Sequence, residues 1–110
     1  MSEQGVEFVA VTFNVAPALE ERFIDWLLVR EEVAGFTSCT VYGHGSDHDH
    51  LTVAEQVSGR RRRTEFRVEL SRAALDPLVA ALTKDFAGVD VYYVVVPVLR
   101  SGHLSVPSRH

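Results

Sequence analysis

Sulfur and lysine are almost missing from this chain: it has one cysteine, Cys39, one methionine and one lysine, Lys84, in 110 residues. A single thiol closes no internal disulfide, and without a C-x-x-C pair neither a cysteine zinc site nor dithiol redox chemistry is available. A reducing, cytoplasmic compartment is the expectation. No stretch approaches the roughly 18 consecutive apolar residues that span a bilayer, and no basic start followed by an apolar run marks a signal peptide, so direct membrane insertion is not expected. There is no P-loop, no G-x-S-x-G elbow, no H-E-x-x-H and no glycine-rich dinucleotide turn, and the chain is expected to be non-enzymatic. A formal net charge of -4 argues against nucleic acid as a partner, because non-specific binding draws on a positive field over the whole domain. What remains is 46% hydrophobic and 24% charged residues, enough for one ordinary globular core.

The apolar pattern divides residues 1–98 into six elements. Val6 to Val15 (VEFVAVTFNV) is rich in Val and Phe, free of Gly and Pro, and reads as a strand apolar on both faces. Pro17 then suits a first helical turn, Glu20 and Glu21 suit its positive end, and Leu19, Phe23, Trp26 and Leu27 form an apolar stripe that ends at Arg30. Gly35 is the expected left-handed cap. Phe36 to Gly43 (FTSCTVYG) reads as a second strand, in which Cys39 is expected to be a buried, inert thiol. Arg63 to Leu70 alternates cleanly, with Thr64, Phe66, Val68 and Leu70 on one face and Arg63, Glu65, Arg67 and Glu69 on the other. The next helix starts after Ser71, or at Pro77 with Asp76 as its cap; Leu75, Leu78, Val79, Leu82 and Phe86 point inward and Gly88 ends it. Val89 to Val98 is a last strand, confined by Pro97 to an edge or an end, and residues 99–110 form a C-terminal tail.

The order βαββαβ predicts an α+β, ferredoxin-like domain: a four-stranded antiparallel sheet with both helices on one face. Two helices cover only one face. First and last strands that are apolar on both sides therefore predict that the second face packs against further copies of the chain in closed cyclic symmetry.

Between the second and third strands lies a long loop, about 43–63, reading GHGSDHDHLTVAEQVSGRRRR. His44, Asp47, His48 and His50 combine imidazoles and a carboxylate in an H-x3-H-x-H spacing, a donor set for Cu, Zn or Ni. A solvated loop whose histidines face water, or one that responds to pH, fits the same residues. Arg60, Arg61, Arg63 and Arg67 supply guanidinium forks for a phosphate or carboxylate, three of them on one strand face; a charge run that protects a protruding hairpin is the alternative. Trp26, Tyr42, Tyr92 and Tyr93 read as core or interface aromatics.

With the loop placed, DWLL (25–28), GFTS (35–38), YGHGSDH (42–48), AEQVSGRRRR (54–63) and YYVVVPV (92–98) resemble the PII-like superfamily, which also holds the copper-tolerance CutA proteins. Within it they resemble a bacterial family often encoded beside heavy-metal efflux pumps. The resemblance covers roughly Phe8 to Val98. It implies a homotrimer, effector sites in clefts between subunits, and a loop that engages a partner such as a membrane transporter or efflux pump. The PII phosphate-holding loop is not carried over, since KDFAGVD is short and Lys84 falls within a helix; no tyrosine lies between Gly43 and Arg63 to match the uridylylated one. Three roles are consistent with these residues: a sensor of a transition metal, a sensor of an adenine nucleotide or an anion such as bicarbonate, and a structural trimer that binds protein without a small effector.

Overall fold

The computed structural model describes residues 6–44 and 61–105. Four strands, β1 (Phe8–Val15), β2 (Phe36–Gly43), β3 (Arg61–Ser71) and β4 (Val91–Val98), form one antiparallel sheet in the order β2-β3-β1-β4. A 3₁₀ turn at Pro17–Leu19 leads into α1 (Glu20–Leu28), and α2 spans Arg72–Asp85. This is the expected ferredoxin-like plan.

Strand alternation places the core. Val9, Val11, Phe13 and Val15 of β1 and Phe66, Val68 and Leu70 of β3 point to the helical side, where they meet Phe23 and Leu27 of α1 and Leu78, Leu82 and Phe86 at α2 and its end. Phe23 is the hub: its ring centroid lies 5.3 Å from Phe13, 4.9 Å from Phe66 and 5.3 Å from Phe86. Edge-to-face and tilted pairs of this kind favour one packing over others. Across the helices, Trp26 Nε1 donates to Asp85 Oδ2 at 2.7 Å and Arg22 donates to the Asp85 carbonyl at 2.6 Å, while Arg22 lies over the Phe86 ring. The end of α2 is thereby held to the middle of α1.

Local geometry departs from the sequence pattern at the end of α1 and at Cys39, and at the start of α2 it decides between the two readings in favour of Ser71. Helix α1 stops at Leu28, well before Gly35, which has no positive φ; Arg30 turns back to stack over Trp26, so the end of the stripe is a cation–π contact and not a glycine cap. Helix α2 begins straight after Ser71 and keeps Pro77 inside it, because the Arg72 amide donates to the Glu7 carbonyl at 2.7 Å and starts the helix at the strand end. Cys39 is exposed. It sits on an outer strand, facing away from the helices, where nothing among the described residues covers it. Gly88, at φ 78°, does adopt the left-handed conformation after α2.

Candidate functional site

The uncovered sheet face carries Thr37, Cys39 and Val41 on β2, Arg63, Glu65, Arg67 and Glu69 on β3, Phe8, Ala10, Thr12 and Asn14 on β1, and Tyr92, Val94 and Val96 on β4, as the strand register dictates. Along β1 this side turns polar from Thr12 onward, so only half of that strand is apolar on both faces. The apolar surplus belongs to β4 and Phe8: exposures are 51% for Phe8, 65% for Tyr92, 42% for Val94 and 44% for Val96. Tyr93 on the helical side is also 46% exposed, so β4 offers large apolar groups on both of its faces.

At one end of this face, where the loop returns into β3, the arginines divide. Arg63 is only 4% exposed. Its Nε donates to Asn14 Oδ1, and one Nη donates to the Asn14 carbonyl at 2.9 Å and to the Asp90 carbonyl at 3.2 Å. A guanidinium is the side chain suited to this place, since its planar fork serves several acceptors while staying ionised. Asp90 Oδ2 then accepts from Arg61 at 2.9 Å and lies 3.7 Å from Arg63, so one carboxylate faces two guanidiniums. Asp90 itself is 65% exposed.

Arg67 stands apart. It shares the face of Arg61 and Arg63 but lies four residues, about 13 Å, farther along the strand from Arg63. The structure thus brings Arg61 and Arg63 together with Asn14 and Asp90 and leaves Arg67 opposite Thr12 and Thr37. Arg60 lies outside the described residues. So do Asp47, His48 and His50, and of the metal-ligand set only His44 is described, exposed directly after β2. Among the described residues no group of three or more His, Cys, Asp or Glu is placed to hold a metal. Asn14 and Asp90 had no signal in the sequence: each is an ordinary polar residue at a strand end, and only the register brings them to Arg63.

Apart from this cluster, two hollows flank β4 on the helical side. One of about 210 Å³ lies under Phe86 to Val89 and reaches Phe13 and Tyr93; another, of about 380 Å³, runs between Leu75, Asp76 and Val79 of α2 and Tyr93, Val95 and Pro97. Both are largely apolar and open to solvent. No helix among the described residues is long and apolar enough to cross a membrane.

Residues 6–105 match the model of a family described as "Protein of unknown function (DUF3240)". Among solved structures the chain is similar to a DUF3240 family protein from Shewanella baltica, at 19% identity and a TM-score of 0.74, with 96% of this chain and 100% of that one covered. It is also similar to CPII, a nitrogen regulatory PII-like protein from Thiomonas intermedia bound to ADP, AMP and bicarbonate, at 20% identity and a TM-score of 0.57 over 86% of this chain and 94% of that one. A third similar structure is the divalent ion tolerance protein CutA1 from Ehrlichia chaffeensis, at 5% identity and a TM-score of 0.66 over 88% and 86%. No curated protein matches the chain.

Proposed function

The chain belongs to the DUF3240 family and has the PII-like fold, and from that premise we propose that it is a non-enzymatic, trimeric regulator that takes a transition metal, Cu, Zn or Ni, on its loop and signals to a partner such as a heavy-metal efflux transporter. The observation that carries this reading is the loop stem. Its return arm is tied to the start of β4 through Arg61, Arg63 and Asp90, while His44, the first of the candidate ligands, stands exposed at the other arm. A loop anchored at its base and rich in donors beyond it is suited to change its tip on binding while its base transmits the change. The exposed apolar surface of β4 supports assembly, since patches of this kind usually mark an interface. A cytoplasmic location belongs to the same proposal. Calorimetric titration of Cu(II), Zn(II) and Ni(II) against the wild type and a His44, His48 and His50 triple alanine variant tests the metal part: binding by the wild type and its loss in the variant is expected, and equal, weak binding by both would sink it.

One observation favours a second reading, an anion or adenine-nucleotide sensor. Two guanidiniums, of Arg61 and Arg63, converge on the exposed carboxylate of Asp90, and guanidinium forks of this kind suit an oxyanion. A thermal-shift series with ATP, ADP, AMP and bicarbonate discriminates, because a ligand at 100 times its dissociation constant adds about 2.7 kcal/mol of stability. No shift up to millimolar concentrations counts against it.

A further inference from the structure

Away from β4, Phe8 and Tyr42, the large apolar residues left exposed fall in two places: Leu28 and Val29 at the end of α1, and Leu99 and Leu104 in the arm that follows β4. Single exposed leucines are ordinary on a protein surface. These four come as two pairs with charge of opposite sign around them. Leu28 shares the outer face of α1 with Glu21 and Asp25, at spacings of three and four, and Glu31 follows Val29 by two residues, so the apolar pair is bracketed by exposed carboxylates. In the arm, Arg100 and His103 stand between Leu99 and Leu104, and residues 99–110 hold two arginines, two histidines and no acidic side chain. Among the described residues the side chains of Asp25, Glu31 and Arg100 make no hydrogen bond or ion pair.

We infer that the arm is a docking segment: residues 99–105 of one copy lie on the Leu28 and Val29 patch of a second copy, with Arg100 and His103 against Asp25 and Glu31. This rests on the assembly proposed above and adds a contact on the helical layer, outside the sheet. The arm's own chain does not receive it, since Leu104 is fully exposed and covers nothing among the described residues.

Strand register places the two halves of the contact. β4 ends at Val98 beside Phe8, whose other neighbour is Ser71, and β2 begins at Phe36 beside Val68, so the arm and the connection from α1 to β2 lie at the same end of the sheet. They lie at its opposite edges, three strand spacings or about 14 Å apart. Each copy therefore presents an arm on one side and a patch on the other. In a closed assembly every copy gives one arm and receives one, which leaves neither pair in water. Burial of the four apolar side chains supplies the non-directional part of the contact, while basic residues set between apolar ones, against apolar residues set between acidic ones, select how the arm lies.

Because Cys39 is the only cysteine, Cys39→Ala gives a thiol-free background for the test. A Leu28→Cys/Leu104→Cys double variant of the full chain is made in it, oxidised under mild conditions and run without reductant beside each single variant. Covalent dimers and larger species are expected from the double variant, in at least a tenfold excess over either single one, and Arg100→Glu added to it should cut their yield at least threefold at low salt. Oxidation that leaves one chain, changed only in mobility and restored by reductant, would put the arm on its own α1 and overturn the inference. Cross-linking as strong in a single variant would mean like against like, and it would overturn the inference too, as would no cross-linking at all. Light scattering on the wild type keeps the two readings apart: a monomer removes the assembly and the arm contact together, while an assembled wild type whose double variant does not cross-link keeps the assembly and removes only the arm.

Discussion

Arg63 holds a guanidinium at 4% exposure, and its worth lies in the acceptors it satisfies: the Asn14 side chain, the Asn14 carbonyl and the Asp90 carbonyl. Replacing it with methionine keeps much of the volume but removes the donor from three part-buried hydrogen bonds, each worth on the order of 1 kcal/mol. We expect Arg63→Met to lower stability by about 2–4 kcal/mol, read as a shift in urea midpoint at fixed protein concentration, while Arg67→Met on the same strand face stays within about 0.5 kcal/mol. Equal effects would show that the charge run acts as a whole and not through the fork. The alternation of β3 predicted that Arg63, Glu65, Arg67 and Glu69 share a face, and they do. It could not predict that Arg63 is buried, because its partners stand 49 and 27 residues away and reach it only through the pairing of β1 with both β3 and β4.

At the scale of elements, the apolar stripes and strand patterns were enough for βαββαβ because β1, β3 and both helices bury periodic faces, while β2 and β4 were marked by their β-branched and aromatic content. Its ends were harder to read, since a glycine after a helix is a cap only where the chain turns left-handed. Gly88 does so at φ 78°, and Gly35 does not; a Cβ at Gly35 would meet nothing within 4 Å. Gly88→Ala should therefore cost about 1–2 kcal/mol. Gly35→Ala should be neutral or stabilising by about 0.4–1 kcal/mol, through reduced freedom of the unfolded chain. Thermal unfolding of the two variants side by side checks both signs. Pro77 gives the complementary case. It lies at the sixth position of α2, past the first turn, where a proline has no N–H to donate and its ring crowds the carbonyl four residues earlier. Pro77→Ala should raise stability by about 1 kcal/mol or more, and a loss instead would mean that the proline serves the packing of Leu78 and Leu82 on the sheet.

For the whole molecule, the unbalanced sheet was already visible in the sequence, because two helices cannot cover two faces. The location of the surplus was not. β1 turns polar at Thr12 and Asn14 on its open side, so the apolar surface concentrates on β4 with Phe8, and it continues around the strand to Tyr93 on the helical side. Val94 and Val96 can therefore be changed without touching the core: both point away from the helices and neither belongs to the buried cluster, while Val95, between them, packs against it. A Val94→Glu/Val96→Glu double variant puts two carboxylates per copy into the surface that assembly would desolvate, and burying an unpaired charge costs several kcal/mol. The expected result is a fall in light-scattering mass from three chains to one, with the far-ultraviolet circular dichroism of the wild type retained. A variant that keeps three chains would place the assembly surface elsewhere, and one that loses its dichroism would mean that this face of β4 contributes to folding of the single chain.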